Sequence, residues 1–238
     1  MSLTYASFVS DLANFIVVPS NDPNYTAALP NIIDDAEQRI YRELQLLFTI
    51  VRDASATFAT GTRTFNLPTS NGTFFAVDSI YAITPVGTSN PDLGTRNFLT
   101  PVSRSFIDSL FPSSNGSGVP QYFAPTSQTD YIVGPWPDQA YQAEVVGTIR
   151  PAPLSASNTT TILSVYLPDL FLAAALVAAS GYQQNFSAMG DNPQQSQAWE
   201  AHYQLLKASA DMEEAMKKFT SQGWSSKAPA AIATPPRT

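Results

Sequence analysis

The sequence predicts an α+β protein: a four-helix bundle carrying an inserted antiparallel β-domain and ending in an extended C-terminal tail. Three observations predict it. Apolar residues recur at helical spacing near both ends of the chain, alternate with period two between them, and give way to a last stretch rich in Ser, Ala and Pro. The expected boundaries are helices over 1–53, the β-domain over 54–164, helices over 165–219 and the tail over 220–238.

Within 3–18, Tyr5, Phe8, Val9, Leu12, Phe15 and Ile16 share a helical face, and Pro19 with the SNDPN cluster ends that helix. A second helix is expected from Asn31 as its cap. Asp34, Asp35 and Glu37 would favour its positive end, with Ile33, Ala36, Ile40, Leu44 and Leu47 along the buried face. Asp35–Arg39 and Arg39–Glu43 add i,i+4 pairs. From Ala54 the period changes. Residues 57–67 read as a hairpin around Gly61, Asn71-Gly72 as a turn, and 77–84 as a strand. A strand end and a short helix around Phe106, Ile107 and Leu110 are expected over 99–111. The SSNGSG run from Ser113 reads as a loop with no element of its own. Strands over 131–133 and 141–149 complete the sheet, with GPWPDQ turning between them.

Pro168 then opens a helix at the position where its missing N–H costs nothing. The residues that follow, LFLAAALVAAS, are apolar almost all round, so neighbours must surround them. Asn192-Pro193 opens a last helix to about Phe219, with Ala198, Leu205, Met212, Met216 and Phe219 as its stripe.

Composition narrows the function. Only 13% of the 238 residues are charged, and the formal net charge is -7. Few charges and many hydroxyls and amides suit subunit-facing surfaces, where desolvating an ion is costly. A protein that grips nucleic acid through phosphates needs a basic footprint, and none exists here. The absence of Cys excludes disulfides, thiolate zinc sites and thiol catalysis. The N-terminal stretch lacks a basic n-region, and the Leu170–Ala179 run is far short of the roughly 20 residues of a membrane span, so a soluble protein is expected.

No catalytic, metal or cofactor-binding residue is predicted. His202, the single histidine, has no Ser-His-Asp or His-x-x-x-His partner spacing. Asp34, Asp35 and Glu37 are explained by the helix dipole, and Asp138 and Glu144 form no glycosidase-like pair. Tyr122, Phe123, Tyr131, Trp136 and Tyr141 either pack a β-core or form a stacking platform for sugars or bases. Lys217, Lys218 and Lys227, around Phe219 and Trp224, read either as a solvated helix end or as a docking tail, since Trp is favoured as an interface anchor.

Three blocks, in this order and spacing, carry a resemblance: IIDDAEQRIYRELQLL, then VPQYFAP with YIVGPWPD, then RPAPLS with TTTILSVYLPDLFLAAALVAAS. Together they resemble the head-to-tail adaptor (connector) proteins of tailed bacteriophages that bind the portal, over roughly 3–219. An acidic-aromatic pair expected after Leu67-Pro68 is missing, and Asn158 precedes Thr159 where the family has Thr-Asn. The resemblance implies a structural virion protein, not an enzyme, with no cofactor. Its partners would be the portal protein, downstream tail or nozzle proteins, and further copies of itself in a dodecameric ring in the virion neck, assembled in the host cytoplasm. DNA would pass through the ring without specific binding, which an acidic balance favours. Lys217, Lys218, Phe219, Trp224 and Lys227 become portal-docking candidates. Phe171, Leu172, Leu176 and Tyr182, on the apolar helix, become subunit-interface candidates. The alternative is a virion receptor- or carbohydrate-binding module built on the aromatic β-platform. A virion-associated hydrolase is a third reading, and no catalytic pair supports it.

Overall fold

The structure, a computed structural model, describes residues 3–88, 90–183 and 193–221. Helix α1 (Tyr5–Phe15) starts at Thr4, whose hydroxyl and that of Ser7 form a reciprocal capping box. It closes with the Val18 N–H on the Ala13 carbonyl and Val17 in the left-handed region at φ 56°. Glycine is usual at that position, and a β-branched residue there costs of order 1 kcal/mol.

Helix α2 (Pro23–Glu43) begins well before Asn31. The Asp22 carboxylate accepts the Asn24 and Tyr25 N–H groups at 2.8 and 3.0 Å, Pro23 fills the first turn, and Pro30 rides inside the helix. Asn31 is therefore no cap. Asp34, Asp35 and Glu37 lie mid-helix, and Glu37 is buried. The Arg39–Glu43 pair forms at 3.0 Å, whereas Asp35 makes no ion pair.

After a 3-10 turn at Leu47–Thr49 the chain enters its β part. This holds β1 (Ile50–Phe58), β2 (Thr64–Asn66), β3 (Thr73–Thr84), β4 (Thr95–Phe98), β5 (Thr100–Pro101) and helix α3 (Arg104–Leu110). There follow β6 (Ser117–Gly118), β7 (Tyr122–Pro125), β8 (Asp130–Gly134), β9 (Trp136–Pro137) and β10 (Tyr141–Arg150). The sheet orders are β1-β10-β3-β4, β2-β8-β7-β5 and the short pair β6-β9. Pairing is antiparallel except for β5–β7 and β6–β9, which are parallel. The expected hairpin over 57–67 does not form. β1 pairs with β10 and β2 with β8, so the two strands lie in different sheets and meet through Phe58 and Phe65, ring centroids 4.7 Å apart. Part of the SSNGSG run is strand β6. At Asn71-Gly72 the expected turn does form: Gly72 has φ 134°, and a Cβ there would run into the Arg150 carbonyl.

The chain returns through 151–161 to α4 (Ile162–Tyr166), α5 (Pro168–Gln183) and α6 (Pro193–Ser221). Short α4, capped by Thr161 and Ser164, was not anticipated. Helix α5 is the hub on which α1, α2, α4 and α6 pack. Phe171 is fully buried and stacks on Phe8 at 4.6 Å, and Leu170, Ala174 and Leu176 are at most 2% exposed. Each large apolar side chain buried this way stabilises by about 1.5–3 kcal/mol. The chain's own helices therefore supply the cover that α5 needs. The β part has its own core around Phe58, Phe74, Ile80, Leu99 and Val145, and α3 covers a small third cluster with Ile107.

Two buried carboxylates join these parts. The Glu37 carboxylate on α2 accepts the Leu154 N–H at 3.1 Å, and the Glu214 carboxylate on α6 accepts the Leu47 N–H at 2.8 Å. Burial pushes the Glu37 carboxyl up from 4.5 to about 7; the Leu154 N–H opposes this and nearby Asp34 adds to it. Between pH 4.5 and about 7 the unfolded chain loses this proton before the folded one does, so stability falls as pH rises through that window. Glu37→Gln keeps an acceptor and removes the dependence. Urea unfolding at both ends of the window is expected to show the variant gaining up to ~3 kcal/mol on the parent as pH rises.

Candidate assembly surfaces

Helix α6 presents two unlike faces. Tyr203, Ala210 and Glu214 are buried, with Trp199 and Leu206 partly so. The stripe of Ala198, Leu205, Met212 and Met216 is turned outward: Leu205 is 68%, Met212 61% and Met216 66% exposed. Ala201, Ala208 and Ser209 widen this face, which carries no charge from Ala198 to Met216. At 1.5 Å per residue the ridge is about 27 Å long.

The inner face of α6 is held by polar contacts. Arg39 donates to both Glu200 oxygens at 2.8 and 2.6 Å, and its guanidinium lies 4.1 Å from the Tyr203 ring centroid. Lys207 meets Glu43 at 2.9 Å, and the Tyr203 hydroxyl donates to Glu43 at 3.1 Å. The hydrogen bonds from Arg39, then Gln204, hold the Glu200 carboxyl down at about 2. A helix anchored in this way keeps its ridge in a fixed direction.

Of the docking candidates, Lys217 and Lys218 lie in the last turns of α6. The Lys217 ammonium sits 2.8 Å from both Glu213 and Glu214, and these carboxylates raise its pKa. Lys218 reaches Gln45 at 3.5 Å. Beside Lys217 is a groove of ≈ 410 Å³ lined by Leu47, Phe48, Ile162, Tyr166 and Leu167. The side chains of Phe219 and Tyr182 lie outside the described residues, as do Trp224 and Lys227. The interface candidates Phe171 and Leu176 sit inside the protomer's own core, and Leu172 is partly buried against it. Phe171 and Leu176 therefore have no surface for a neighbour. Among the described residues, the large apolar side chains that α6 leaves exposed are Leu205, Met212 and Met216.

The aromatic set of the β part is packed or partly packed within the fold. Phe123 and Tyr141 are buried, Tyr131 packs on Phe123, and Tyr122 lies between Phe106 and Phe111. The Trp136 indole N–H donates to the Phe111 carbonyl at 3.4 Å. These contacts, with the Tyr141 hydroxyl on Asp138, engage each of the five rings in packing within the β part. Glu144, unremarkable in the sequence, is 1% exposed and takes a forked contact from Arg96 at 3.0 and 3.2 Å. His202 is exposed and meets Trp199 edge-on at 6.2 Å. Among the described residues no group of three or more His, Asp or Glu could hold a metal ion, and no helix is long and apolar enough to cross a membrane.

A family model described as SU10 adaptor protein matches residues 3–229, nearly the whole chain. The chain belongs to the SU10 adaptor family. The resemblance carried by the AEQRIYREL helix, the YIVGPWPD turn and the LPDLFLAAAL helix is thus a family relationship, to structural phage adaptors and not to enzymes. A comparison with curated proteins returned no match.

The outward ridge generates a stability prediction. Leu205→Lys with Met212→Lys is expected to unfold within about 0.5 kcal/mol of the parent, because neither side chain is packed. A loss of about 2 kcal/mol or more in urea unfolding would mean that these residues are core after all.

Proposed function

We propose that this chain is a head-to-tail adaptor of a tailed phage, located in the virion neck, which binds the portal protein and offers an attachment surface to downstream tail or nozzle proteins. The family match over residues 3–229 carries this reading. The four long helices act as a bundle that sets subunits side by side in a ring, dodecameric as in the adaptors it resembles. The uncharged ridge of Leu205, Met212 and Met216 supplies the lateral contact, since an exposed apolar stripe on an anchored helix marks an association surface. Lys217, Lys218, Phe219, Trp224 and Lys227, at and beyond the end of α6, dock on the portal. The β part is a rigid platform for the tail side. A net charge of -7 repels the phosphate backbone, so packaged DNA slides through the channel without adhering. Subunits assemble in the host cytoplasm, and the chemistry throughout is binding, with no covalent step.

The test is electron microscopy of the protein mixed with its portal. The full chain is expected to add a ring beneath the portal. Removal of residues 222–238 is expected to abolish the ring and preserve the circular-dichroism spectrum and unfolding midpoint. Portals decorated normally by the truncated chain would refute the docking assignment.

A further inference from the structure

Among the described residues the arginines divide into two groups by their partners. Arg39, Arg52, Arg63, Arg96 and Arg104 each pair with a carboxylate. Arg42 and Arg150 pair with none among the described residues: Arg42 donates to the Gln38 carboxamide at 2.7 Å, and Arg150 lies over the Phe75 ring, 4.9 Å from its centroid. In a chain with 19 acidic residues against 12 basic ones, arginines without a carboxylate are unexpected. Both line the same cleft.

That cleft, ≈ 520 Å³, lies where the end of α2 meets β1, β3 and β10. Arg42, Arg150 and Lys218 face it against the single carboxylate of Asp78. Its apolar lining includes Leu44, Leu46, Ile50, Phe75 and Ile149, of which Ile50 is 48% and Phe75 63% exposed. An Arg stacked on an aromatic ring is pre-oriented, so its fork of donors is ready for a carboxylate. From Arg150 a second depression of ≈ 530 Å³ continues past Asn71, Gln128 and Pro151, and Arg150 is the only charged residue lining it. A smaller depression, which Arg150 also lines, carries the carboxyl groups of Asp34 and Glu37.

We propose that this Arg42–Arg150 cleft is a docking site for an acidic, apolar-tipped peptide segment of a partner protein. A carboxylate pairs with Arg150 and a second with Arg42, an apolar side chain lies on Ile50 and Phe75, and the segment runs on toward Asn71 and Pro151, away from Asp34. Peptide is favoured over nucleic acid on two counts. Ile50 and Phe75 offer an apolar side chain a surface that a phosphodiester backbone would leave unused, and a net charge of -7 repels a polyanion as a whole. The proposal rests on charge and geometry and is independent of ring formation and portal binding.

The experiment titrates full-length protein into the fluorescein-labelled peptide Glu-Glu-Leu-Phe-Glu-Glu, into its Gln-Gln-Leu-Phe-Gln-Gln counterpart, and into a labelled oligothymidylate, with anisotropy as the readout. The acidic peptide is expected to bind saturably, weaken with salt, and bind at least about tenfold tighter than either other probe. Arg42→Gln with Arg150→Gln is expected to weaken it by about tenfold or more at an unchanged unfolding midpoint, as neither residue has a carboxylate partner to lose. Arg42→Lys with Arg150→Lys, which keeps charge and loses the fork, is the second variant and is expected to fall between. Absence of saturable binding up to about 1 mM, equal binding by the Gln variant, or preference for oligothymidylate would overturn the proposal.

Discussion

The pairing of one buried carboxylate with one backbone N–H, made twice, determines how this molecule holds together. The chain passes between its helical and β parts only through the segment leading into β1 and the segment leaving β10. A buried connecting segment carries backbone donors with no ladder to join, and a donor left unpaired there costs about 1–3 kcal/mol. Glu214 takes the Leu47 N–H of the first crossing and Glu37 takes the Leu154 N–H of the second. The two differ in charge compensation. Burial alone would raise the Glu214 carboxyl, but Lys217 and the Leu47 N–H outweigh it and keep it low. Glu37 has no such cation, and its carboxyl is raised.

With both crossings pinned, the remaining surfaces take their directions. The Leu3 N–H donates to the Ser164 carbonyl and the Tyr5 N–H to that of Thr159, each at 2.8 Å, so the first helix is tied to the second crossing. The ridge of α6 points outward because its other face is spent on Arg39, Glu43 and the Leu47 crossing. The Arg42–Arg150 cleft exists because Arg42 ends α2 and Arg150 ends β10, and the two pinned crossings bring those ends together.

Much of this was legible in the chain. Pro168 and Pro193 mark helix starts because proline at a first turn has an unambiguous physical reading. The central strands declare themselves by alternation. Strand partners do not: period two identifies β1 and β2 without saying that β10 and β8 claim them. Pro30 misplaced the start of α2, since a proline inside a helix and one before a helix look alike in sequence. The stripe of α6 is legible in the sequence, but the side it faces is not. A helix with Leu and Met on one face and Trp, Tyr and Leu on the other offers two apolar solutions, and the polar anchors Arg39 and Glu43, distant in sequence, decide between them. Arg42 and Arg150 were missed because an arginine's lack of a partner is visible only once every carboxylate has been placed.

Amide hydrogen exchange at Leu47 and Leu154 tests the central claim most directly. Both amides are expected to exchange only on global unfolding, with Glu214→Ala releasing Leu47 alone and Glu37→Ala releasing Leu154 alone while the Ile80 amide in the β core stays protected. Exchange at loop rates in the unaltered chain, or protection unchanged by both substitutions, would contradict the account.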